Sequence, residues 1–236
     1  LKASRADGPD PVREWARHND DLAKRCDYLN RLGLTALEYK ASNGTDFRVG
    51  LLPDALFMGG GESDLKGRYY NPNIPSEEIF TSPRAGDADG IVYATKPLSY
   101  QGQLIENFSV RFEKGKVVEV KAEKNQELLE KMVSMDEGAA MLGECALIAY
   151  DSPINRLGLL FYNTLFDENA SCHFALGRGF GNCVRGYEDM TNEQLKEYGI
   201  NDSMIHVDFM IGCKDLGITG ITKSGERVAI FKDGNW

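Results

Sequence analysis

The sequence predicts an α+β fold in which a mixed, curled or barrel-like β-sheet core is flanked by helices. Apolar residues recur at helical spacing near the start of the chain, and period-two alternation dominates much of the remainder. Strand-like and helix-like segments are interleaved without a strict strand–helix–strand repeat. We therefore expect the 236 residues to form one large domain around a shared core.

The individual elements follow from these two periods. Residues 1–9 are polar and are expected to be frayed, whereas Asp10 and Pro11 supply an N-cap and a first-turn proline for a helix that reaches about residue 30. The further predicted helices are 125–134, 136–142 and 191–199. The predicted strands are 36–40, 46–51, 90–95, 103–112, 117–122, 145–149, 157–162 and 205–212.

Composition argues against several classes of partner. Thirty-six acidic and 27 basic residues give a net charge of -9, which disfavours binding to nucleic acid or to an anionic membrane surface. No apolar run approaches the roughly 18 residues that span a bilayer. The five cysteines are odd in number and lack C-x-x-C spacing, which argues against a disulfide framework and a thiolate zinc site. A soluble, cytoplasmic protein is expected.

The stretch 205–212, IHVDFMIG, reads as a buried strand that carries two polar side chains. Successive side chains of a strand point to opposite faces, so Val207 and Phe209 share one face while His206 and Asp208 share the other. A buried carboxylate is costly unless it is paired or bound to a metal. This face therefore needs a charged partner from elsewhere in the chain.

Other polar groups interrupt equally apolar runs. Each of them alone is also consistent with an ordinary hydrogen-bonded core or turn residue, and His18 reads as a surface residue of the first helix. Taken together, imidazoles and carboxylates without thiolates form the ligand set of a divalent metal site with mixed nitrogen and oxygen donors. These groups are His173, Glu144, the pair Glu77 and Glu78, and the pair Asp167 and Glu168.

Several long motifs, in order along the chain, resemble the aminopeptidase T / aminopeptidase S family of dimetal metallo-aminopeptidases. The resemblance covers about residue 10 to the end. It implies that residues 10–236 are the catalytic domain of a thermophilic metalloprotease-like enzyme, without the N-terminal α/β domain that family members carry before it. The motifs are NIPSEEIFTSP (73–83), TKPL (95–98), LGECAL (142–147), SPI (152–154), GLLFYNTLFDENASCHFALG (158–177) and HVDFMIG (206–212).

The resemblance also implies the residues of a site for two divalent metal ions (Zn, Co or Mn). Between the adjacent acids Glu77 and Glu78, the second is favoured as a ligand because the 66-residue step from it to Glu144 matches the family spacing. Glu77 then becomes a candidate general base beside a ligand. The implied ligands are Glu78, Glu144, His173, His206 and Asp208.

One position departs from the family pattern. Family members have a tyrosine at the metal site seven residues after the first histidine ligand, and this chain has Phe180 there. A nearby tyrosine, Tyr162 or Tyr187, is the alternative source of a hydroxyl. Asp167 and Glu168 are candidates to bind the substrate α-amine or to orient His173.

The function implied by the resemblance is metal-dependent removal of N-terminal residues from peptides with a free N-terminus, with broad side-chain preference, by water activated between two metals. The resemblance also implies a homodimer. The alternative is a catalytically weak peptide-binding or assembly module of the same fold, which the Phe180 substitution and the absent N-terminal domain favour.

Overall fold

The computed structural model describes residues 1–236 and contains four α-helices and fifteen strands. The helices are α1 (Pro11–Leu32), α2 (Gln126–Val133), α3 (Thr164–Glu168) and α4 (Asn192–Tyr198). The strands are β1 (Leu34–Lys40), β2 (Asp46–Leu51), β3 (Met58–Gly59), β4 (Glu62–Ser63), β5 (Tyr69–Tyr70), β6 (Ile79–Thr81), β7 (Pro83–Tyr93), β8 (Leu98–Tyr100), β9 (Gln103–Glu113), β10 (Lys116–Lys124), β11 (Leu142–Leu147), β12 (His173–Gly177), β13 (His206–Met210), β14 (Gly217–Thr222) and β15 (Arg227–Phe231).

Two antiparallel sheets organise these strands. The larger sheet has the order β10-β9-β7-β2-β1-β14-β15, with β8 paired to β9, and the smaller sheet has the order β13-β12-β11-β6-β3. Strands β4 and β5 form a separate hairpin. The chain passes from the smaller sheet to the larger one at Ser82, between β6 and β7. Both sheets are open at their edges, so the predicted α+β class is confirmed as two sheets and not as a closed barrel.

The core is formed by aromatic side chains from both sheets. Phe174 of β12 packs edge-on against Tyr39 of β1, with ring centroids 4.9 Å apart, and against Phe47 of β2 at 5.2 Å. Phe209 of β13 contacts Phe108 of β9 at 5.8 Å. These tilted contacts are the geometry that aromatic pairs prefer. The predicted core face of strand 205–212 is therefore confirmed.

Helix α1 begins and ends as its sequence indicates. The Asp10 side chain accepts a hydrogen bond from the N–H of Arg13, and Gly33 ends the helix with a φ of 60°. Residues 1–9, which the sequence predicts to be frayed, form turns, and Ala3 is buried against Ile154 and Ala170. No helix of the protein is both long enough and apolar enough to cross a membrane.

The predicted strand 157–162 is wrong, because this apolar run forms a loop. The buried carboxylate of Asp167 accepts hydrogen bonds from the backbone N–H groups of Phe161 (2.7 Å) and Asn163 (3.1 Å). Tyr162, between them, adopts a φ of 58° that a strand excludes. A buried carboxylate just after the run therefore overrides its strand propensity.

The predicted helix 136–142 is also wrong, since only a short 3₁₀ turn forms at Gly138–Ala140 before β11 begins at Leu142. The Asp136 side chain accepts from the N–H of Ala139 and also from the N–H of Met204. This carboxylate ties the turn to the segment before β13, which stops the helix after one turn.

Candidate metal centre

The polar face of the smaller sheet carries most of the predicted site residues. In the register of β11, β12 and β13, Ala175 lies opposite Glu144 on one side and opposite Asp208 on the other. Directly opposed residues project from the same face of a sheet, so the two carboxylates flank one small methyl group. His173 lies two residues before Ala175, and His206 two before Asp208, on the same face.

A bulge in β11 brings Glu144 to this face. Leu142 lies opposite Leu176 and Glu144 lies opposite Ala175, so Gly143 is an extra residue in the ladder. Leu142 is buried in the core between the sheets. If Gly143 were an ordinary, paired residue of the strand, alternation would place Glu144 on the same face as Leu142, in that core. A Cβ on Gly143 would fall 2.2 Å from a backbone carbonyl oxygen, so only glycine fits the bulge.

The adjacent acids Glu77 and Glu78 point to opposite sides of the chain just before β6. The Glu78 carboxylate lies 3.4 Å from His173 Nε2 and lines the same cavity as Glu144. Glu77 is turned away and pairs with Arg5 and His18 instead. The structure therefore brings Glu78 to the cluster and does not bring Glu77, the predicted base, to it.

Both imidazoles are oriented by backbone carbonyls. His206 Nδ1 lies 2.7 Å from the carbonyl oxygen of Arg178, and His173 Nδ1 lies 3.0 Å from that of Glu168. An Nδ1–H that donates to a carbonyl leaves Nε2 with its lone pair for a metal. Both Nε2 atoms face the carboxylates, which is the tautomer and direction that metal-ligating histidines use.

The candidate ligand atoms form two groups that share Glu144. Glu78, Glu144 and His173 form one group, and Glu144, His206 and Asp208 form the other, with the atoms of each group within 4.8 Å of one another. His206 Nε2 is 3.2 Å from a Glu144 oxygen and 3.3 Å from Asp208 Oδ1. His173 Nε2 and Asp208 Oδ1 are buried without a hydrogen-bond partner. Buried polar atoms rarely lack a partner. A divalent cation would provide one for both atoms and suits this set of nitrogen and oxygen donors.

Without bound metal, protons on the histidines balance the negative charge of the carboxylates. Burial alone would lower the pKa of each histidine, but the surrounding carboxylates raise that of His173 to about 10 and that of His206 to about 11. Burial raises the pKa of Glu144 to about 7. Burial opposes ionisation of Asp208 too, yet the nearby imidazoles of His206 and His173 lower its pKa. Metal binding must displace these protons.

The cluster opens into a cavity of about 360 Å³. Glu168 contributes a carboxylate to the cavity wall but belongs to neither ligand group. Burial and the neighbouring carboxylates raise the pKa of Glu168 to about 9. Asp167, by contrast, holds the loop that contains Tyr162 and does not line the cavity.

Phe180 also lines the cavity, with its ring centroid 4.8 Å from that of His206 and 5.3 Å from that of Phe80. Neither Tyr162 nor Tyr187 lines this cavity, and their side chains are 65% and 37% exposed. The cavity wall therefore has an aromatic ring without a hydroxyl at this position.

Sequence reasoning missed the two small residues on which the cluster depends, Gly143 and Ala175. The glycine directly before Glu144 in a strand-like run is a recognisable signal for a bulge. Nothing in the sequence marks Ala175, since its importance comes from the register of three strands.

Comparisons with known proteins identify the family. The model for the family described as thermophilic metalloprotease (M29) matches residues 1–236. Over the whole chain, the sequence is 46% identical to aminopeptidase AmpS of Bacillus subtilis and 43% identical to aminopeptidase T of Thermus aquaticus. The chain spans 57% of the length of each of these relatives.

Solved structures agree with this result. Wild-type AmpT from Thermus thermophilus superposes with a TM-score of 0.90 at 41% identity, over 96% of this chain and 55% of that one. A 2,5-dihydroxypyridine dioxygenase from Pseudomonas putida reaches a TM-score of 0.58 at 16% identity, over 93% of this chain and 63% of that one, which shows a shared fold alone. This chain belongs to the thermophilic metalloprotease family M29.

Proposed function

We propose that this chain is the catalytic domain of a metallo-aminopeptidase that removes N-terminal residues from peptides by means of two divalent metal ions. The observation that carries the proposal is the pair of ligand groups sharing Glu144, in which both imidazoles present Nε2 to buried carboxylates. The proposed ligands are Glu78, Glu144, His173, His206 and Asp208.

The charge of this ligand set suits two dications. Three carboxylates contribute -3 against +4, and one hydroxide would make the cluster neutral, which lowers the cost of burying it. Bound divalent metal supplies a Lewis acid that polarises the scissile carbonyl and lowers the pKa of water. The identity of the metal among Zn, Co and Mn depends on availability as well as on the ligands.

Glu168 is our candidate for proton transfer in place of Glu77, whose carboxylate pairs with Arg5 and does not line the cavity. The Glu168 carboxylate lies in the cavity wall outside both ligand groups. The positive charge of bound metal would lower its pKa from about 9 towards the neutral range. A Glu168 oxygen then accepts a proton from the attacking water and returns it to the departing amine.

The cavity wall also favours a substrate with a free α-ammonium group. Three of the five carboxylates that line the cavity are proposed metal ligands, and the other two, Glu62 and Glu168, remain to attract a cationic N-terminus and disfavour a blocked or acidic one. Only three of the sixteen lining residues are hydrophobic, namely Met58, Phe80 and Phe180. This composition supports a broad preference for the N-terminal side chain.

The test loads chelator-stripped protein with Zn²⁺, Co²⁺ or Mn²⁺, counts bound ions by mass spectrometry and measures turnover of leucyl-p-nitroanilide. We expect two ions per chain, metal-dependent turnover, and no cleavage of the N-acetylated substrate. Glu197→Gln, an exposed acid outside the cavity, serves as the control and should behave as the unmodified protein.

The second candidate, a catalytically weak peptide-binding module, is favoured by one observation, the absence of a hydroxyl from the Phe180 ring in the cavity wall. It predicts that the protein binds peptides with a free N-terminus, loads metal incompletely and turns over no anilide. Binding measured by fluorescence anisotropy on a labelled tripeptide, alongside the metal count, separates the two functions.

A homodimer is part of the proposal. The side chains of Leu65, Tyr69 and Ile74 are more than half exposed, in a segment whose neighbours Glu62, Pro72 and Asn73 line the cavity. Exposed apolar side chains of this kind often mark an interface. Light scattering at high micromolar concentration tests it, and a strictly monomeric mass would count against it.

A further inference from the structure

A second cluster of charged side chains lies behind the ligand cluster, on the opposite side of the segment 76–78. Glu77 is 8% exposed, and both of its carboxylate oxygens accept hydrogen bonds from the guanidinium of Arg5, with Nη2 to Oε2 at 2.8 Å. His18 Nε2 lies 3.8 Å from Oε2. A two-pronged arginine–carboxylate pair fixes direction as well as distance.

The backbone of the same segment is held at two more points. His18 Nε2–H donates to the carbonyl oxygen of Ser76 at 2.6 Å. The N–H of Glu77 donates to Asn169 Oδ1 at 2.7 Å, in a fully buried contact. Glu78 is the next residue, so these anchors determine where its Cα lies and in which direction its side chain leaves the chain.

The contacts of Arg5, His18 and Asn169 with the segment 76–78 form a clamp. Asn169 connects this clamp to the other side of the ligand cluster. Asn169 directly follows Glu168, whose carbonyl oxygen accepts from His173 Nδ1. Its side-chain amide also donates to the carbonyl of Leu165 within the same helix. The segment that carries Glu78 and the imidazole of His173 are therefore both held at the neighbouring residues Glu168 and Asn169.

Arg5 is itself fixed by the fold of the N-terminal segment. The indole Nε1–H of Trp15 donates to the carbonyl of Ser4 at 2.7 Å, and the Arg5 guanidinium lies over the Trp15 ring at 5.7 Å from its centroid. Ala3 is buried against Ile154 and Ala170. Because the residues just before Arg5 and its guanidinium are both held, its contact with Glu77 restrains the segment 76–78.

We propose that Arg5 and Glu77 are positioning residues for metal binding, through which the N-terminal segment holds the Glu78 carboxylate against His173. This inference rests on the proposed function, because it takes Glu78 to be a ligand. A ligand that is ordered before the metal arrives loses less conformational freedom on binding. Removal of the clamp therefore weakens metal affinity even though neither residue touches the cavity.

The experiment titrates Zn²⁺ into the chelator-stripped protein in competition with a chromogenic chelator. Arg5→Ala and Glu77→Ala are each expected to lower Zn²⁺ affinity by about 10- to 100-fold, the range for groups that orient metal ligands. Arg5→Lys keeps the charge and should recover part of the loss. The double variant should cost no more than the larger single change, since both remove one interaction.

The chain offers a matched control in the other two-pronged pair, between Arg227 and Glu38 on the larger sheet. Glu38→Ala removes an arginine–carboxylate pair that does not line the cavity and should leave Zn²⁺ affinity unchanged. Melting temperatures of the metal-free variants are recorded alongside. If Arg5→Ala and Glu77→Ala lower the melting temperature but not the affinity, the role is merely structural and the inference is overturned.

Glu78→Gln separates a failure of this inference from a failure of the proposed function. If Glu78→Gln leaves Zn²⁺ affinity unchanged, the ligand assignment is wrong and both proposals fail. If Glu78→Gln weakens binding while Arg5→Ala and Glu77→Ala do not, the ligand assignment stands and only the positioning role is refuted.

Discussion

The two faces of strands β11, β12 and β13 are almost equally buried but chemically opposite. Phe174 and Phe209 are fully buried in the core, while Glu144, His173 and Asp208 on the other face are only 4%, 1% and 5% exposed. Burial of the aromatic face is favourable by about 1.5–3 kcal/mol for each side chain. Burial of the polar face is unfavourable until the charges are balanced. Burial of the aromatic face therefore stabilises the fold, whereas burial of the polar face favours binding of a cation that balances its charge.

This contrast predicts that the two faces respond differently to substitution. Changes on the apolar face should alter the free energy of unfolding, and changes on the polar face should alter metal binding and turnover. The following predictions test that separation.

The largest effect is expected for Glu144→Gln, which removes the residue that the two ligand groups share. Turnover should fall by a factor of at least about 10³, more than the loss of one oxyanion donor, and His206→Ala should act in the same way. The melting temperature of the metal-free protein should fall less than in a variant of the apolar face, because burial disfavours the Glu144 carboxylate. Steady-state kinetics and calorimetry measure both quantities, and a variant with full metal content and near-normal turnover would refute the ligand assignment.

On the apolar face, Phe174→Ala should lower the free energy of unfolding by about 3–5 kcal/mol, because the truncation leaves a cavity among Tyr39, Phe47 and Phe209. Urea unfolding of the metal-free protein measures this loss. The Zn²⁺ affinity of the molecules that remain folded should change little. A loss of affinity as large as that of Glu144→Gln would mean that the two faces are not separable.

A smaller effect is expected for Phe180→Tyr, which adds a hydroxyl to a ring in the cavity wall. A phenol there can donate a hydrogen bond to the oxyanion or coordinate metal, so kcat for a peptide should rise about ten-fold, less than the full value of one donor because the surroundings are adapted to phenylalanine. Tyr187→Phe and Tyr162→Phe are the controls. An unchanged kcat in Phe180→Tyr together with a reduced kcat in either control would transfer the role to that tyrosine.

The smallest effect is a pH dependence of stability with opposite signs in the two metal states. The raised pKa values of His173 and His206, about 10 and 11, stabilise the metal-free protein fully below the unfolded value of 6.5, and this contribution is lost as pH rises through the folded values. Metal affinity instead rises with pH, because binding displaces these protons. The melting-temperature difference between metal-loaded and metal-free protein should therefore grow from pH 6 to pH 9, and a constant difference would argue against proton displacement.

Local pattern was sufficient to predict part of the fold and of the candidate site. Alternation along 205–212 correctly assigned His206 and Asp208 to one face and Phe209 to the core. The helix from Pro11 was predicted correctly from its cap and its apolar spacing. These features are local, since neighbouring residues determine them.

The remaining features depend on contacts between distant residues. Strand periodicity does not extend through the turn before β6, so the sequence could not tell that Arg5 draws Glu77 away from the cavity. The role of Glu168 in the cavity wall likewise depends on how α3 packs beside β13.

The bulge at Gly143 determines to which face of the sheet the Glu144 side chain points. Strand alternation has two phases, and one additional residue exchanges them. Upstream of Gly143 the phase directs Leu142 into the core, and downstream it directs Glu144 to the ligand cluster. If Gly143 were instead paired with Ala175 as an ordinary ladder residue, Glu144 would fall opposite Phe174 in the core and Cys145 would turn towards the cluster. In this part of the molecule, the register of the strand specifies the chemistry as strictly as residue identity does.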